Sequence, residues 1–172
     1  MPLFEKRRRP ALPGAVRAAV PLQGAEQVLA WARDEQTGGH VVATTHHLAF
    51  VGADETLVWR RPWHEAESGT WQGESSLLTV TWVDRGASAQ WRLTEPSLLQ
   101  QALRERLQAS VVLADEFRTA NRRTVRVVIR QDLATGTLLE QTIPGSGVDL
   151  SDPQVAREAG KRLARLRSEV GL

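Results

Sequence analysis

Between Glu26 and Leu107 the chain alternates apolar and polar residues in short runs, then changes to one helical repeat. The alternations predict strands near residues 27–33, 40–51, 56–60, 77–83 and 89–93. Gly38-Gly39 and the stretch 84–88 supply turns between them, and Pro62 halts the third strand. Leu78, Val80 and Trp82 share one strand face, as do Trp91 and Leu93, with Gln90 and Arg92 opposite. The stretch 40–51 is less regular. Val42, Leu48 and Phe50 suit one buried face, yet Val41 and Val51 are apolar too, so a bulge or a mid-strand bend is expected. From Thr94 the period becomes helical. Thr94 is expected to cap a helix with Glu95 and Pro96 in its first turn. Leu98, Leu99, Ala102, Leu103 and Leu107 form its apolar stripe. The helix should end between Leu107 and Leu113, with Leu99, Leu103 and Leu107 packed against Trp82 and Trp91.

In the last third, Val125, Val127 and Ile129 alternate with Arg126 and Arg130, and a second strand is expected over 137–143 after a turn at 132–136. The two form a hairpin. A final helix starts near Asp149 or Ser151, with Asp152 and Pro153 in its first turn. Its stripe is Val155, Ala159, Leu163, Leu166 and Val170, and the apolar hairpin face is the nearest surface that stripe can cover. Residues 1–21 carry a basic run followed by three prolines and no usable period, so they read as a flexible basic tail. The expected organisation is this tail, a domain over 22–113 and a hairpin-plus-helix extension over 114–172.

Composition adds limits. The chain has 172 residues with 41% apolar and 24% charged content, and no cysteine, which excludes disulfides and thiolate chemistry. No apolar stretch approaches the roughly 20 residues of a membrane span. Prolines 10, 13 and 21 and Arg17 interrupt what would otherwise resemble a signal peptide, so a cytoplasmic chain is expected, with membrane-peripheral placement as a variant. The net charge is only +2, and all its basic residues except Lys6 and Lys161 are arginine.

The segment from Glu26 to about Leu113 resembles bacterial PH-like and GRAM-like domains. The run Ala43-Thr44-Thr45-His46-His47-Leu48-Ala49-Phe50, then Val58–Glu65 with Pro62-Trp63, then the strand pair leading into the helix carry the resemblance. His47 stands where such domains usually have an arginine. The resemblance implies an α+β fold: a curved antiparallel β-sandwich or partly open barrel closed by a helix, here with a C-terminal β-hairpin plus helix extension. It implies binding without chemistry. The loop Asp34–Gly39 stands where related phosphoinositide sites are basic, and it carries two acids and no base.

Candidate chemistry is sparse. No nucleophile elbow, P-loop or dinucleotide-binding glycine pattern is present, and no cofactor is implied. His40, His46, His47 and His64 do not form a metal-ligand spacing; adjacent histidines in one regular strand would face opposite ways. The candidate anion binders are Lys6, Arg7, Arg8 and Arg9 in the tail, and Arg122, Arg126 and Arg130. On one strand the latter three would share a face at about 13 Å intervals. The plainer reading is a solvated face paired with Asp115, Glu116 or Glu140. Trp59, Trp63 and Trp71 flank turns and form a candidate aromatic patch for a partner. The expected function is a non-catalytic binding or scaffold module for a protein partner. The alternative is attachment to an anionic membrane surface through the basic tail, with nucleic acid less favoured.

Overall fold

The computed structural model describes residues 11–94 and 97–172. Its core is a four-stranded antiparallel sheet, β1(Val28–Arg33), β2(His40–Thr44), β3(His47–Val51) and β4(Leu57–Pro62), in sequence order. After a single 3-10 turn at Trp63–Glu65 comes a second antiparallel sheet, β5(Ala66–Gln72), β6(Leu77–Trp82) and β7(Ala89–Arg92). Helix α2(Ser97–Ser110) follows and packs on both sheets. The fold is thus α+β, and the described residues form three antiparallel sheets, none closed into a barrel.

The irregular stretch 40–51 is not one bent strand. It is a hairpin, β2 and β3, turning at Thr45 and His46, with Val42 opposite Ala49 and Ala43 opposite Leu48. Both faces are buried, which explains the mixed pattern. Val41, Ala43 and Leu48 face the main core, whereas Val42, Ala49 and Val51 face a second cluster completed by Val16 and Val20. Those two valines correct the expectation of a tail running to residue 21. Pro13 does not break structure there; it stands at the N-cap of α1(Gly14–Ala19). Val16 and Val20, one turn apart, lie on the same side and cover the outer face of the first sheet. Lys6, Arg7, Arg8 and Arg9 lie outside the described residues, as do Glu95 and Pro96. Thr94 gives its hydroxyl to Glu35 (2.6 Å).

The main core holds Trp82 and Trp91 from the second sheet and Leu99, Ala102 and Leu103 from α2, as the helical stripe predicts. Phe50, Trp59, Trp82 and Trp91 form one aromatic cluster with ring centroids 5.4–6.3 Å apart. Arg61 lies over Trp82, 4.2 Å from the ring centroid, while it ion-pairs with Glu65 and Asp84. Buried Asp34 joins the two sheets: its carboxylate accepts from the Thr37 hydroxyl and from the N–H groups of Thr37, Gln36 and Arg92. The loop Asp34–Gly39 is therefore held against β7.

The extension is larger than a hairpin. β8(Val111–Arg118), β9(Thr124–Gln131) and β10(Leu138–Pro144) form a sheet in the order β10-β9-β8, and α2 runs into β8 without a loop. β8 crosses the boundary expected between residues 113 and 114. Its alternation is hidden in the sequence because Asp115 occupies a position on the apolar face, opposite Val127. That position suits an acid because Arg162 and Arg165 of α3(Pro153–Val170) both ion-pair with it at 2.8 Å. α3 begins at an Asp152 cap that accepts from the Gln154 N–H. Val155, Ala159 and Leu166 pack on Phe117, Val125, Val127 and Ile129, with Leu163 and Val170 at the margin. The opposite face of this sheet, carrying Arg126, Val128, Arg130 and Gln141, looks toward α2 and the 3-10 turn. Among the described residues no helix is long and apolar enough to cross a membrane.

Gly69 of β5 lies opposite Val80, on the core-facing side, and any Cβ there would collide with the Leu103 side chain. Leu103→Ala should cost about 2–5 kcal/mol and Gly69→Ala about 1–3 kcal/mol in urea denaturation. In the chain already carrying Leu103→Ala, the added Gly69→Ala should cost far less, because its methyl then has room. Additive costs would show that the two residues do not meet.

Candidate functional site

Two groups of side chains are candidates, one polar and closed, the other an open cleft. The closed group is centred on Glu26, whose side chain has no exposure. It accepts from the Thr44 hydroxyl, the Gln23 N–H (3.1 Å), His47 Nδ1 (2.8 Å) and the Arg60 guanidinium (2.7 Å). His47 Nδ1 also lies 2.9 Å from Arg60 Nη2, so its tautomer decides which of the two neighbours it bonds. Burial pushes the carboxyl up, but the bonds from Thr44, His47 and Gln23 outweigh it and hold the pKa at about 2. A carboxylate so far below neutral is a poor general base. Its role here is mechanical: it ties the segment before β1 to the β2–β3 turn and to β4.

The open cleft runs along α2. One part, about 320 Å³, lies between β5 and α2 and is lined by Ser68, Gly69, Thr70, Trp71, Leu78, Gln100, Leu103, Arg104, Leu107 and Gln108. β5 is a terminal strand of its sheet, and its residues Ser68–Trp71 line this space. Leu78 and Leu103 are buried in the floor, and half-buried Trp71 forms one wall. Gln100 contributes a buried amide nitrogen without a hydrogen-bond partner among the described residues. A second part, about 330 Å³, lies between α2 and the third sheet. Glu67, Leu107, Gln108, Val111, Arg126 and Arg130 line it, so Leu107 and Gln108 belong to both walls.

Arg130 is the unusual member. It is 1% exposed, and its Nη1 donates to the Ser110 hydroxyl (3.0 Å), which in turn donates to the Leu107 carbonyl (2.8 Å). The guanidinium therefore closes the C-terminal end of α2, where a cation is favoured. Among the described residues its Nε has no partner and no carboxylate lies within ion-pair distance. Burial lowers its pKa to about 10 and the Arg126 charge adds to this, while Glu67 opposes both; it stays protonated at neutral pH.

The other sequence candidates are scattered. Arg122 is not on a strand. It is exposed in the β8–β9 turn with φ +58°, so the three-arginine row is broken, and only Arg126 and Arg130 share a face. Asp115 and Glu140, two of their expected acidic partners, bind α3 arginines, and exposed Glu116 sits opposite Arg126 with no ion pair among the described residues. The aromatic patch does not form. Trp63 is 1% exposed and its Nε1 donates to the Thr44 carbonyl (3.0 Å). Trp59 belongs to the core cluster, and Trp71, in β5 rather than a turn, is the one that borders the cleft. His40 packs on Trp31, His47 meets Glu26, and burial holds the His40 and His64 imidazoles below their ordinary pKa.

Comparison with protein-family models, with curated proteins and with solved structures finds no match for this chain. Function must be read from the cleft itself. Sequence reasoning passed over Gln100, Gln108 and the burial of Arg130. One signal was available: a lone glycine inside a strand pattern, Gly69, marks the close approach of another element.

The Glu26 network sets a pH dependence. Its folded pKa lies below the ordinary value of 4.5, so its contribution is full above that value and is lost as pH falls toward 2. The wild type should lose about 2–4 kcal/mol relative to Glu26→Gln between pH 6 and pH 2, measured by urea midpoints. A difference that stays constant over that range would show that Glu26 is not held ionised.

Proposed function

We propose that this chain is a non-catalytic, PH-like binding module of the cytoplasm that takes up an extended segment of a protein partner between β5 and α2. The resemblance implies two sheets closed by a helix, and α2 following the first two antiparallel sheets and packing on both supports that reading. The observation that carries the reading is the β5–α2 cleft. It combines a strand edge able to hydrogen-bond an added strand with an apolar recess bordered by Trp71, Leu78, Leu103 and Leu107. Strand addition supplies affinity through the main chain, and the recess selects a side chain. Half-buried Trp71 offers a large rigid surface at low entropic cost.

Panning a random displayed peptide library against the full chain should enrich peptides that share an apolar residue. Trp71→Ala and Leu107→Ala should each weaken their binding about tenfold or more while the circular dichroism spectrum stays unchanged. Absence of enrichment, or peptides that bind both variants as tightly as wild type, would contradict the reading. Salt-sensitive retention on anionic vesicles that is lost on deleting residues 6–9 would favour surface attachment instead.

A further inference from the structure

We propose that the part of the cleft between α2 and β9 is a carboxylate site, in which Arg126 and Arg130 receive an acidic side chain of the same peptide whose apolar residue enters the Trp71 recess. This rests on the peptide-binding reading above and gives it a specificity.

The arginines are placed for this by the third sheet. They stand four residues apart on one strand, so both side chains leave the same face, and both line the same space. A buried guanidinium is costly unless its donors and charge are satisfied. Arg130 spends one donor on Ser110, keeps an unpartnered Nε, and has no carboxylate within ion-pair distance among the described residues. An arriving carboxylate supplies what is missing, and the planar fork of an arginine suits it.

Charge complementarity selects a monoanion. The walls of this part carry two cations and one acid, Glu67, which leaves a single positive charge in excess. A monoanion brings these walls to neutrality, a dianionic phosphate would carry them to a net negative charge, and Arg122, exposed in the β8–β9 turn, does not extend the pair for a polyanion. The two parts of the cleft share Leu107 and Gln108, so one short peptide can reach both. The buried Gln100 amide, also unpartnered, adds a donor for a peptide carbonyl beside the recess.

The test uses the full chain and three synthetic peptides with blocked ends. Each has leucine or phenylalanine two residues from a variable position that holds glutamate, glutamine or phosphoserine. NMR follows the arginine side-chain Nε–H signals and the Trp71 indole N–H. The glutamate peptide should shift Arg130 Nε–H and the Trp71 indole together. It should bind about tenfold or more tightly than the glutamine peptide and more tightly than the phosphoserine peptide. Arg126→Met should remove most of that preference, and so should Arg130→Met if it folds, while Arg122→Met should leave it intact. Equal binding of glutamate and glutamine peptides, with the indole alone shifting, overturns the carboxylate site and leaves the peptide cleft standing. Tighter binding by phosphoserine overturns the monoanion assignment. No shift of either probe with any peptide overturns both readings.

Discussion

The contact of Leu103 with the bare backbone at Gly69 is the joint on which the rest of this molecule depends. A helix can lie close to a strand only where the strand presents little side chain, and Gly69 presents none on its core-facing side. That approach sets the depth of α2. Depth in turn brings Leu99 and Ala102 into the same core as Trp82 and Trp91. It also leaves a recess beside the helix, because Trp71 and Leu107 flank the contact without filling the space between them. The cleft is thus a by-product of how the helix is seated.

The same helix joins the two halves of the chain. α2 runs directly into β8, and the third sheet becomes a middle layer with α3 on one face and α2 on the other. The two faces are held differently. Toward α3 the contact is apolar, with Asp115 and its arginines at the edge. Toward α2 it is polar: Arg130 meets Ser110, and Gln141 reaches the His64 carbonyl at 2.8 Å. A buried guanidinium with an unused donor is a poor choice if holding two layers together were its only task, since apolar packing of the same volume often stabilises as much or more. Its cost becomes intelligible if the layer boundary also receives a ligand.

Much of the fold was legible because period and burial agree in it. The α2 stripe, the β6 and β7 faces and the α3 stripe each bury one side, so their apolar spacing names them. Legibility failed where two environments met on one element. The β2–β3 hairpin is buried on both faces and turns at Thr45-His46 without glycine or proline, so it read as one irregular strand. β8 was masked by Asp115, an acid made acceptable by arginines about 50 residues away in sequence. α1 is too short to show a period, and its two valines matter only because a sheet face awaits them. The site was less legible than the fold. Trp71 and the arginines were visible as types, but their grouping depends on which strand edge lies beside which helix face, and no local pattern encodes that.

Native-state hydrogen exchange tests the central claim that α2 locks both halves, and so the cleft between them, into one cooperative structure. Backbone amides in the buried parts of α2, β6 and β9 should exchange through a shared opening whose free energy equals that of global unfolding, with the same denaturant dependence. If β8, β9, β10 and α3 instead open together at a much lower free energy while α2 and the first two sheets stay protected, the extension is a separate unit. The cleft at Arg130 would then not be a fixed part of the molecule.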